Sequence, residues 1–327
     1  MEELNKKIVF ACYLPWDVHW MYEVIKATNG SVYTINEQVR NVCDRLGIPT
    51  VQKFDGFTII VVSNIHLGVR QSAEYFINTG GKVVMLQHAW DTGLQLRDRF
   101  WNHDMNKFTY ILVGCTQDYD WLSNKYGKDR IILTGMPKLD NLYRIKNDNT
   151  PLDDVYKELN VNSFYLSIAP TDVISNGIFR SYDERLEGDS PLPIVFKVHP
   201  GSNFQAAKDA DISRGKTNRN LIPDDIYDVN KTYRIMKASS GVVCVESFFS
   251  IEATLLGKPV IFYGYQDIPG GFYNKDENIN QNLRAPFEMS SSLAHPKFTE
   301  KQKEIADMYL FDGKNTERVV TFLKGII

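Results

Sequence analysis

A histidine that follows an apolar run is the strongest candidate for acid–base chemistry in the sequence. His88 lies in the segment LQHAWDTG, residues 86–93, beside Trp90 and Asp91. A neutral imidazole directly after a buried strand can take a proton from an acceptor hydroxyl. The alternative is a histidine that only hydrogen-bonds to the backbone of its own loop.

A second loop combines an acid, a histidine and two aromatic residues. Its sequence is PWDVHW, residues 15–20. This loop could hold an acceptor, or it could supply the general base through Asp17 or His19 if His88 does not. Asp17 could instead only cap the helix that follows it. The sequence leaves both interpretations open.

Residues 241–263, GVVCVESFFSIEATLLGKPVIFY, predict a strand, a short helix and a second strand, with Gly257 as the left-handed stop of the helix. In open parallel sheets, ligands bind beyond the carboxyl ends of the strands, so Ser247 and Glu252 fall where a nucleotide would bind. Ser247 could cap the helix, whose free amides would face a diphosphate. Glu252 would accept hydrogen bonds from ribose hydroxyls, or it could only complement the helix dipole.

This segment resembles the donor-nucleotide site of GT-B glycosyltransferases and their relatives, the UDP-GlcNAc 2-epimerases and the CDP-glycerol glycerophosphotransferases of teichoic acid synthesis. The pattern is S-x(4)-E-A-x(3)-G-K-P-V, here Ser247 to Val260. The last group is the most similar, because its Q-H-G element, with a catalytic histidine, resembles Gln87-His88-Ala89. Its T-G-x-P-R-x-D element resembles residues 134–140, with Lys138 in place of arginine.

The resemblance also implies donor-binding residues in the second half of the chain. Lys197 and His199 match a K-x-H-P element that handles the donor phosphates, where they could neutralise charge on a diphosphate leaving group. His199 could instead be an ordinary loop histidine. The turn that contains Thr171 departs from the family's P-T-W-R, since Asp172 and Val173 replace Trp and Arg, and this puts a glycerol-phosphate substrate in doubt. Further expected donor contacts are Ile222 and Pro223 at the nucleobase, and Gly270, Gly271 and Arg284 at the sugar or phosphate.

Two acidic pairs have the D-x-D spacing of metal-dependent sugar transferases of the GT-A type. Asp118 and Asp120 stand at the start of a predicted helix, where acids favour the helix dipole. Asp209 and Asp211 lie in a polar loop. We therefore expect no metal site and no cofactor beyond the nucleotide-sugar co-substrate.

Strand-like and helix-like segments alternate along the chain. The first half predicts strands at residues 7–14, 31–35, 57–63, 82–87, 110–114 and 130–134, with helices at 18–27, 37–46, 69–78 and 118–126 between them. The second half predicts strands at 164–169, 194–198, 241–245 and 259–263, and helices from 225, at 248–256, 299–308 and 316–323. Such alternation indicates parallel, doubly wound sheets.

At 327 residues the chain exceeds what one hydrophobic core usually serves. We expect an α/β protein of the GT-B type, with two Rossmann-like domains facing across a cleft. Residues 1–148 would form the acceptor side. Residues 149–327 would bind the nucleotide donor, with the last helix expected to cross back to the first domain.

Composition narrows the function classes. A net charge of −3 argues against bulk attraction to nucleic acid or anionic lipid. The four cysteines, Cys12, Cys43, Cys115 and Cys244, stand far apart and imply neither a disulfide framework nor a zinc site. The N-terminal apolar run is too short for a signal sequence or a membrane span, so we expect a cytoplasmic protein with no integral membrane segment.

The favoured interpretation is a metal-independent glycosyltransferase that moves a sugar from a nucleoside-diphosphate sugar, preferably a UDP-sugar, to an acceptor hydroxyl. A glycerophosphotransferase, a 2-epimerase and a non-catalytic nucleotide-sugar binding module are the alternatives. The acceptor could be a glycopolymer. The basic and aromatic run RDRFW, residues 97–101, also suggests a hydroxymethylated base in DNA.

Overall fold

The computed structural model describes residues 7–63, 67–87, 105–168, 190–198, 209, 220–222, 229–244, 248–262, 281–282 and 297–327. The chain divides into two compact units. The first comprises Met1–Tyr143 and Met308–Ile327, and the second Arg144–Asp307. The sequence-based division expected only the last helix to return to the first domain, whereas the contacts place all of residues 308–327 there.

The first unit is built on a seven-stranded sheet in the order β3-β2-β1-β4-β5-β6-β7. Its strands are β1 Ile8–Ala11, β2 Ser31–Tyr33, β3 Thr50–Val51, β4 Ile59–Val62, β5 Lys82–Leu86, β6 Tyr110–Val113 and β7 Ile131–Leu133. Every described pairing in this sheet is parallel. All residues of β1 and β4 are buried, which explains why both strands are continuous apolar runs.

Helices connect these strands. They are α1 Pro15–Ala27, α2 Glu37–Leu46, α3 Leu67–Asn78 and α4 Thr116–Tyr126, with a short 3₁₀ helix at Met105–Lys107 before β6. The ends of α2 follow from its sequence, because the Asn36 side chain accepts a hydrogen bond from the Gln38 amide and Gly47 ends the helix with a φ of 66°. The helix α5, Lys138–Asn147, carries the chain into the second unit.

The second unit contains a six-stranded sheet in the order β10-β9-β8-β11-β12-β13. Its strands are β8 Tyr165–Ile168, β9 Ile194–Lys197, β10 Asn220–Ile222, β11 Gly241–Cys244, β12 Val260–Phe262 and β13 Gln281–Asn282. All described pairings are again parallel. The described helices are α6 Asp153–Leu159, α7 Val229–Ala238, α8 Phe249–Leu255 and α9 Glu300–Met308.

The C-terminal helix α10, Asn315–Gly325, is anchored to the first unit by a buried polar cluster. The Asp140 carboxylate accepts hydrogen bonds from the Asn315 amide at 3.0 Å and the Thr316 amide at 2.7 Å. The Asn315 side chain donates to the Met136 carbonyl oxygen at 3.1 Å. Gly135 has a φ of +77°, and a Cβ there would lie 2.0 Å from Asn315 Oδ1. The T-G-M-P-K-L-D segment therefore has a structural role in holding α10.

Both sheets have the doubly wound order in which the first strand is central and the chain builds outward on each side of it. The predicted α/β class with two such sheets is confirmed. The sequence did not predict β3, β10, β13, α5 or α6. Residues 220–222 form an edge strand, so Ile222, which the sequence assigns to a nucleobase contact together with Pro223, is the last residue of β10.

Candidate functional site

The six strands of the second sheet end at one level. Their last residues pair with one another across the whole sheet, in the order Ile222, Lys197, Ile168, Cys244, Phe262 and Asn282. This row is the carboxyl edge of the sheet. Strand order reverses between the neighbours β8 and β11, because β9 and β10 lie on one side of β8 and the later strands on the other. Open α/β sheets bind ligands at such a reversal.

Lys197 is a cation at this edge. It is the last residue of β9 and is buried, with a relative exposure of 7%. Its Nζ lies 3.4 Å from the Val198 carbonyl oxygen. Its strand neighbours in the edge row are Ile168 and the half-buried Ile222. An ammonium group at the end of a parallel strand is suited to an anionic ligand beyond that end.

Glu252 is a buried acid on the helix that follows β11. Its relative exposure is 7%, and that of Tyr233 on α7 is 4%. The Tyr233 hydroxyl donates a hydrogen bond of 3.1 Å to Glu252 Oε1, which fixes the carboxylate. No sequence pattern indicates this pair, because the two residues lie on different helices. The N-cap of α8 is Phe248, with no side-chain cap, and not Ser247 as predicted.

Two other residues of the donor-site motif have structural roles. Gly257 takes the left-handed conformation that ends α8, with a φ of +76°. Lys258 Nζ donates to the Ser239 carbonyl oxygen at 2.7 Å, and Ser239 precedes β11. Burial, together with the charge of Lys237, lowers the pKa of Lys258. Lys258 is therefore bonded at the amino end of β11, opposite the edge that carries Lys197.

In the first unit, Asp17 caps its own helix. Its Oδ2 accepts hydrogen bonds from the Tyr13 amide at 3.0 Å and the Leu14 amide at 2.9 Å, and its Oδ1 accepts from Ser63 Oγ at 3.0 Å. The side chain has no exposed surface. Since Ser63 follows β4, Asp17 ties together the ends of β1 and β4. Of the two interpretations left open for Asp17, the structure shows the capping one. His19, on the same helix, is partly buried.

Gln87, which leads into His88, is fixed on both sides. Its Nε2 donates to Asp118 Oδ2 at 2.6 Å, and its Oε1 accepts from the Gly114 amide at 2.8 Å. Burial raises the pKa of Asp118, and hydrogen bonds from Gln87 and Cys115 oppose that rise. The first acid of this D-x-D pair thus supports the Gln87 side chain. Within the described parts of the chain, no group of three or more His, Cys, Asp or Glu residues could hold a metal ion.

The predicted site residues fall into two groups. Asp17, His19, Lys197, Ile222 and Glu252 are described, as detailed above. The others lie outside the described residues, and they are His88, Thr171, His199, Pro223, Ser247, Gly270, Gly271 and Arg284. Five of these follow strand ends in the sequence: His88 after β5 in the first sheet, and Thr171 after β8, His199 after β9, Pro223 after β10 and Ser247 after β11 in the second.

Cys12, Cys43 and Cys115 are buried free thiols, and burial raises the pKa of each. Cys244 ends β11.

Among the helices that the structure describes, none has both the length and the apolar composition needed to cross a membrane.

Comparisons with known proteins find a curated relative by sequence and solved structures of similar fold. No protein-family model matches the chain. A teichoic acid glycerol-phosphate primase from Staphylococcus aureus is 26% identical over 182 residues. That match covers 54% of this chain and 43% of the primase, so the chain aligns with less than half of the length of this curated relative.

Solved structures share the fold over nearly the whole chain. The S. aureus protein MnaA, determined with UDP, superposes with a TM-score of 0.70 at 14% identity, covering 98% of this chain and 96% of MnaA. The UDP-GlcNAc 2-epimerase from Neisseria meningitidis, bound to UDP-GlcNAc, gives 0.67 at 15% identity, covering 98% and 100%. The wall teichoic acid polymerase TagF gives 0.64 at 14% identity, covering 98% and 88%. The predicted structural similarity to these proteins is confirmed. At sequence identities of 14–15%, this similarity shows a shared fold.

Proposed function

We propose that this protein is a glycosyltransferase of the GT-B type that moves a sugar from a nucleoside-diphosphate sugar to an acceptor hydroxyl, without a metal ion. The observation that carries this proposal is the carboxyl edge of the second sheet. There, a buried lysine ends β9, and a buried glutamate held by a tyrosine lies on the helix after β11. A cation for a diphosphate and a fixed carboxylate for ribose hydroxyls are what a nucleotide donor requires.

Roles follow for the individual donor-site residues. Glu252 would accept hydrogen bonds from the ribose, with Tyr233 holding the carboxylate in place. Lys197 and His199 would neutralise charge on the diphosphate as it leaves. The backbone of Ile222 and Pro223 would contact the nucleobase. Additional contacts with phosphate or sugar are assigned to Thr171, Ser247, Gly270, Gly271 and Arg284.

The reaction forms a bond between the acceptor oxygen and the anomeric carbon and breaks the bond from that carbon to the diphosphate oxygen. The acceptor proton must go to a base. Asp17 accepts hydrogen bonds from the helix start at one oxygen and from Ser63 at the other, and it has no exposed surface, so we assign the base to His88, with His19 as the alternative. Gln87, pinned by Asp118 and Gly114, would fix the chain where it leads into His88.

The test compares nucleotide donors and matched variants. We expect UDP-sugars to raise the melting temperature more than CDP- or GDP-linked donors. Lys197→Met should abolish this stabilisation. Lys258→Met, which removes a half-buried lysine of the second unit, should preserve it, because Lys258 bonds at the amino end of β11. His88→Ala should retain donor binding and lose transfer. Equal effects of the two lysine variants would contradict the donor site.

We infer a second candidate, transfer of glycerol phosphate, because the curated relative is a glycerol-phosphate primase. CDP-glycerol would then stabilise the protein more than any nucleotide sugar, and the variants Lys197→Met and His88→Ala would behave as above. Epimerisation is the third candidate, since MnaA and the epimerase superpose over nearly the whole chain. Interconversion of a UDP-sugar without any acceptor would identify it.

The acceptor is proposed by class only. The run at residues 97–101 lies outside the described residues, so a hydroxymethylated base in DNA stays a prediction, as does a glycopolymer. Labelled sugar retained on hydroxymethylcytosine-containing DNA, and absent from unmodified DNA, would support the former. Absence of label from both DNAs would remove it.

A further inference from the structure

A cavity of about 160 Å³ opens at the carboxyl ends of β1 and β2 in the first unit. Three aromatic side chains line it, from Tyr13, Tyr33 and Phe54. Three polar residues, Thr34, Gln71 and Ser72, also line it, and the rest of the lining is Ala11, Cys12 and Ile35. The roles assigned so far to His88, Lys197 and Glu252 make no use of this pocket.

The aromatic wall is held in place by packing. The ring of Phe54 lies 4.2 Å from that of Tyr33 and 5.2 Å from that of Phe76, measured between centroids. Phe76 is buried in the core of the sheet. Edge-on and tilted contacts at these distances are favourable for aromatic side chains. The rings of Tyr33 and Phe54 are therefore held by packing against the hydrophobic core.

Hydrogen bonds fix the rest of the rim. The Cys12 amide donates to the Tyr33 carbonyl oxygen at 3.2 Å. The Asn36 side chain donates to the Tyr13 carbonyl oxygen at 3.0 Å, and the Asn36 amide donates to Thr34 Oγ1 at 3.1 Å. These bonds join the segments that follow β1 and β2, so the pocket is formed before a ligand arrives and little ordering cost opposes binding.

The lining defines the chemistry of the ligand. Among the described residues around the pocket there is no Asp, Glu, Lys, Arg or His, so none of these described side chains would pair with a charged group. The volume of about 160 Å³ is below the roughly 300–1,000 Å³ of sites for drug-sized ligands, and it suits a single ring. A sugar ring presents C–H groups on its faces, which pack on aromatic rings, and hydroxyls at its edge, which bond to Gln, Ser and Thr.

The position of the pocket separates it from the reacting atoms. The strand β5, which leads to His88, lies two strands from β1 in the sheet order. At about 4.8 Å between neighbouring strands, this is roughly 10 Å. A ring bound in the pocket would therefore belong to a part of the acceptor other than the hydroxyl that reacts.

We propose that the pocket binds one uncharged sugar ring of the acceptor, as an anchoring subsite beside the hydroxyl that receives the donor group. This assignment to the acceptor rests on the proposed function. The affinity for a neutral sugar does not. A free sugar and a sugar unit of a longer glycan share this chemistry, and the experiment separates the two.

Saturation-transfer NMR on the full chain tests the binding. The probes are methyl β-glucoside, N-acetylglucosamine, a β-linked glucose oligosaccharide, glucuronate and uridine. We expect saturable binding of a neutral sugar, weakened about tenfold or more by Gln71→Ala and by Tyr13→Ala. The matched control is Gln38→Ala, the same substitution at an exposed position on α2, which should leave the affinity unchanged.

The outcomes are distinct. Tighter binding of the oligosaccharide than of the single sugars indicates a glycan, and equal binding indicates a free sugar. In a transfer assay, Gln71→Ala should raise the KM for the acceptor with little change in kcat. The pocket assignment is overturned if glucuronate or uridine binds in preference, if Gln38→Ala weakens binding equally, or if no neutral sugar binds. UDP binding, measured on the same samples, separates these results from failure of the proposed function.

Discussion

The hydroxyl of Tyr233 is the part of the proposed donor site whose removal gives the sharpest result. Tyr233→Phe deletes the 3.1 Å hydrogen bond to Glu252 Oε1 and leaves the ring in place. Both side chains are buried. A hydrogen bond to a charged group contributes about 1.5–3 kcal/mol, so we expect the free energy of unfolding to fall by that amount.

The functional effect follows from the role of the carboxylate. Without the Tyr233 hydroxyl, Glu252 loses one of the bonds that orient it, and its proposed bonds to ribose hydroxyls should weaken. We expect the affinity for a nucleoside diphosphate to fall about tenfold, which corresponds to about 1.4 kcal/mol. The matching 2′-deoxynucleotide should lose less, because it lacks one of the hydroxyls. The preference for ribose over deoxyribose therefore decreases in Tyr233→Phe.

A matched substitution separates this effect from general destabilisation. The Tyr156 hydroxyl donates to the Ala238 carbonyl oxygen at 2.9 Å, also in the second unit. Tyr156→Phe should lower the free energy of unfolding by about 0.5–1.5 kcal/mol and leave the ribose preference unchanged. Isothermal titration with the paired nucleotides and urea unfolding measure the two quantities. If Tyr233→Phe keeps the ribose preference of the wild type, Glu252 does not bind the ribose.

Three other predictions concern the framework around the sites. Gly135→Ala should lower the free energy of unfolding by about 2–4 kcal/mol, because the added Cβ would collide with Asn315. Gly127→Ala is the control and should lower it less, since Gly127 also has a positive φ but a Cβ there would meet nothing within 4 Å. Equal losses in the two variants would refute the collision. Gln87→Leu should lower the same free energy by about 2–4 kcal/mol, because it leaves a buried carboxylate and a buried amide without this partner. A single ordinary hydrogen bond has a net value of ~1 kcal/mol. A loss of less than ~1 kcal/mol in urea unfolding would therefore contradict this prediction. Burial raises the pKa of Cys43 from 9.0 to about 12, so the thiol ionises first in the unfolded chain. Its contribution to the free energy of unfolding is complete below pH 9 and is lost between pH 9 and about 12, by up to ~1.4 kcal/mol per pH unit. In urea unfolding across that range, the free energy of unfolding of Cys43→Ala should decline less steeply with pH than that of the wild type.

Local chemistry predicted the elements whose ends are encoded next to them in the chain. The helix α2 matches its predicted bounds because Asn36 caps one end and Gly47 terminates the other. Buried parallel strands such as β4 were visible as continuous apolar runs. The helix α5 was not predicted because polar and charged residues dominate its sequence, KLDNLYRIKN. The two-residue strands β3 and β13 are defined by their neighbours in the sheet, which a linear pattern does not reveal.

The positions of two candidate residues on the fold were more predictable than their contacts. Strand ends and the donor-site motif pointed to Glu252 and Lys197, which the structure places on the helix after β11 and at the end of β9. The bond from Tyr233 to Glu252 and the bond from Gln87 to Asp118 join residues far apart in the chain. Asp17 was open to two interpretations because its sequence neighbours do not show Ser63, whose hydroxyl completes the cap.

Photolabelling with an azido-uridine diphosphate sugar, followed by peptide mapping of the full chain, tests the central claim most directly. We expect labelled peptides that follow β8, β9, β10 and β11, with labelling suppressed by excess UDP and lost in Lys197→Met. Label confined to Met1–Tyr143 and Met308–Ile327, or label that excess UDP does not suppress, would contradict a donor site at the carboxyl edge of the second sheet.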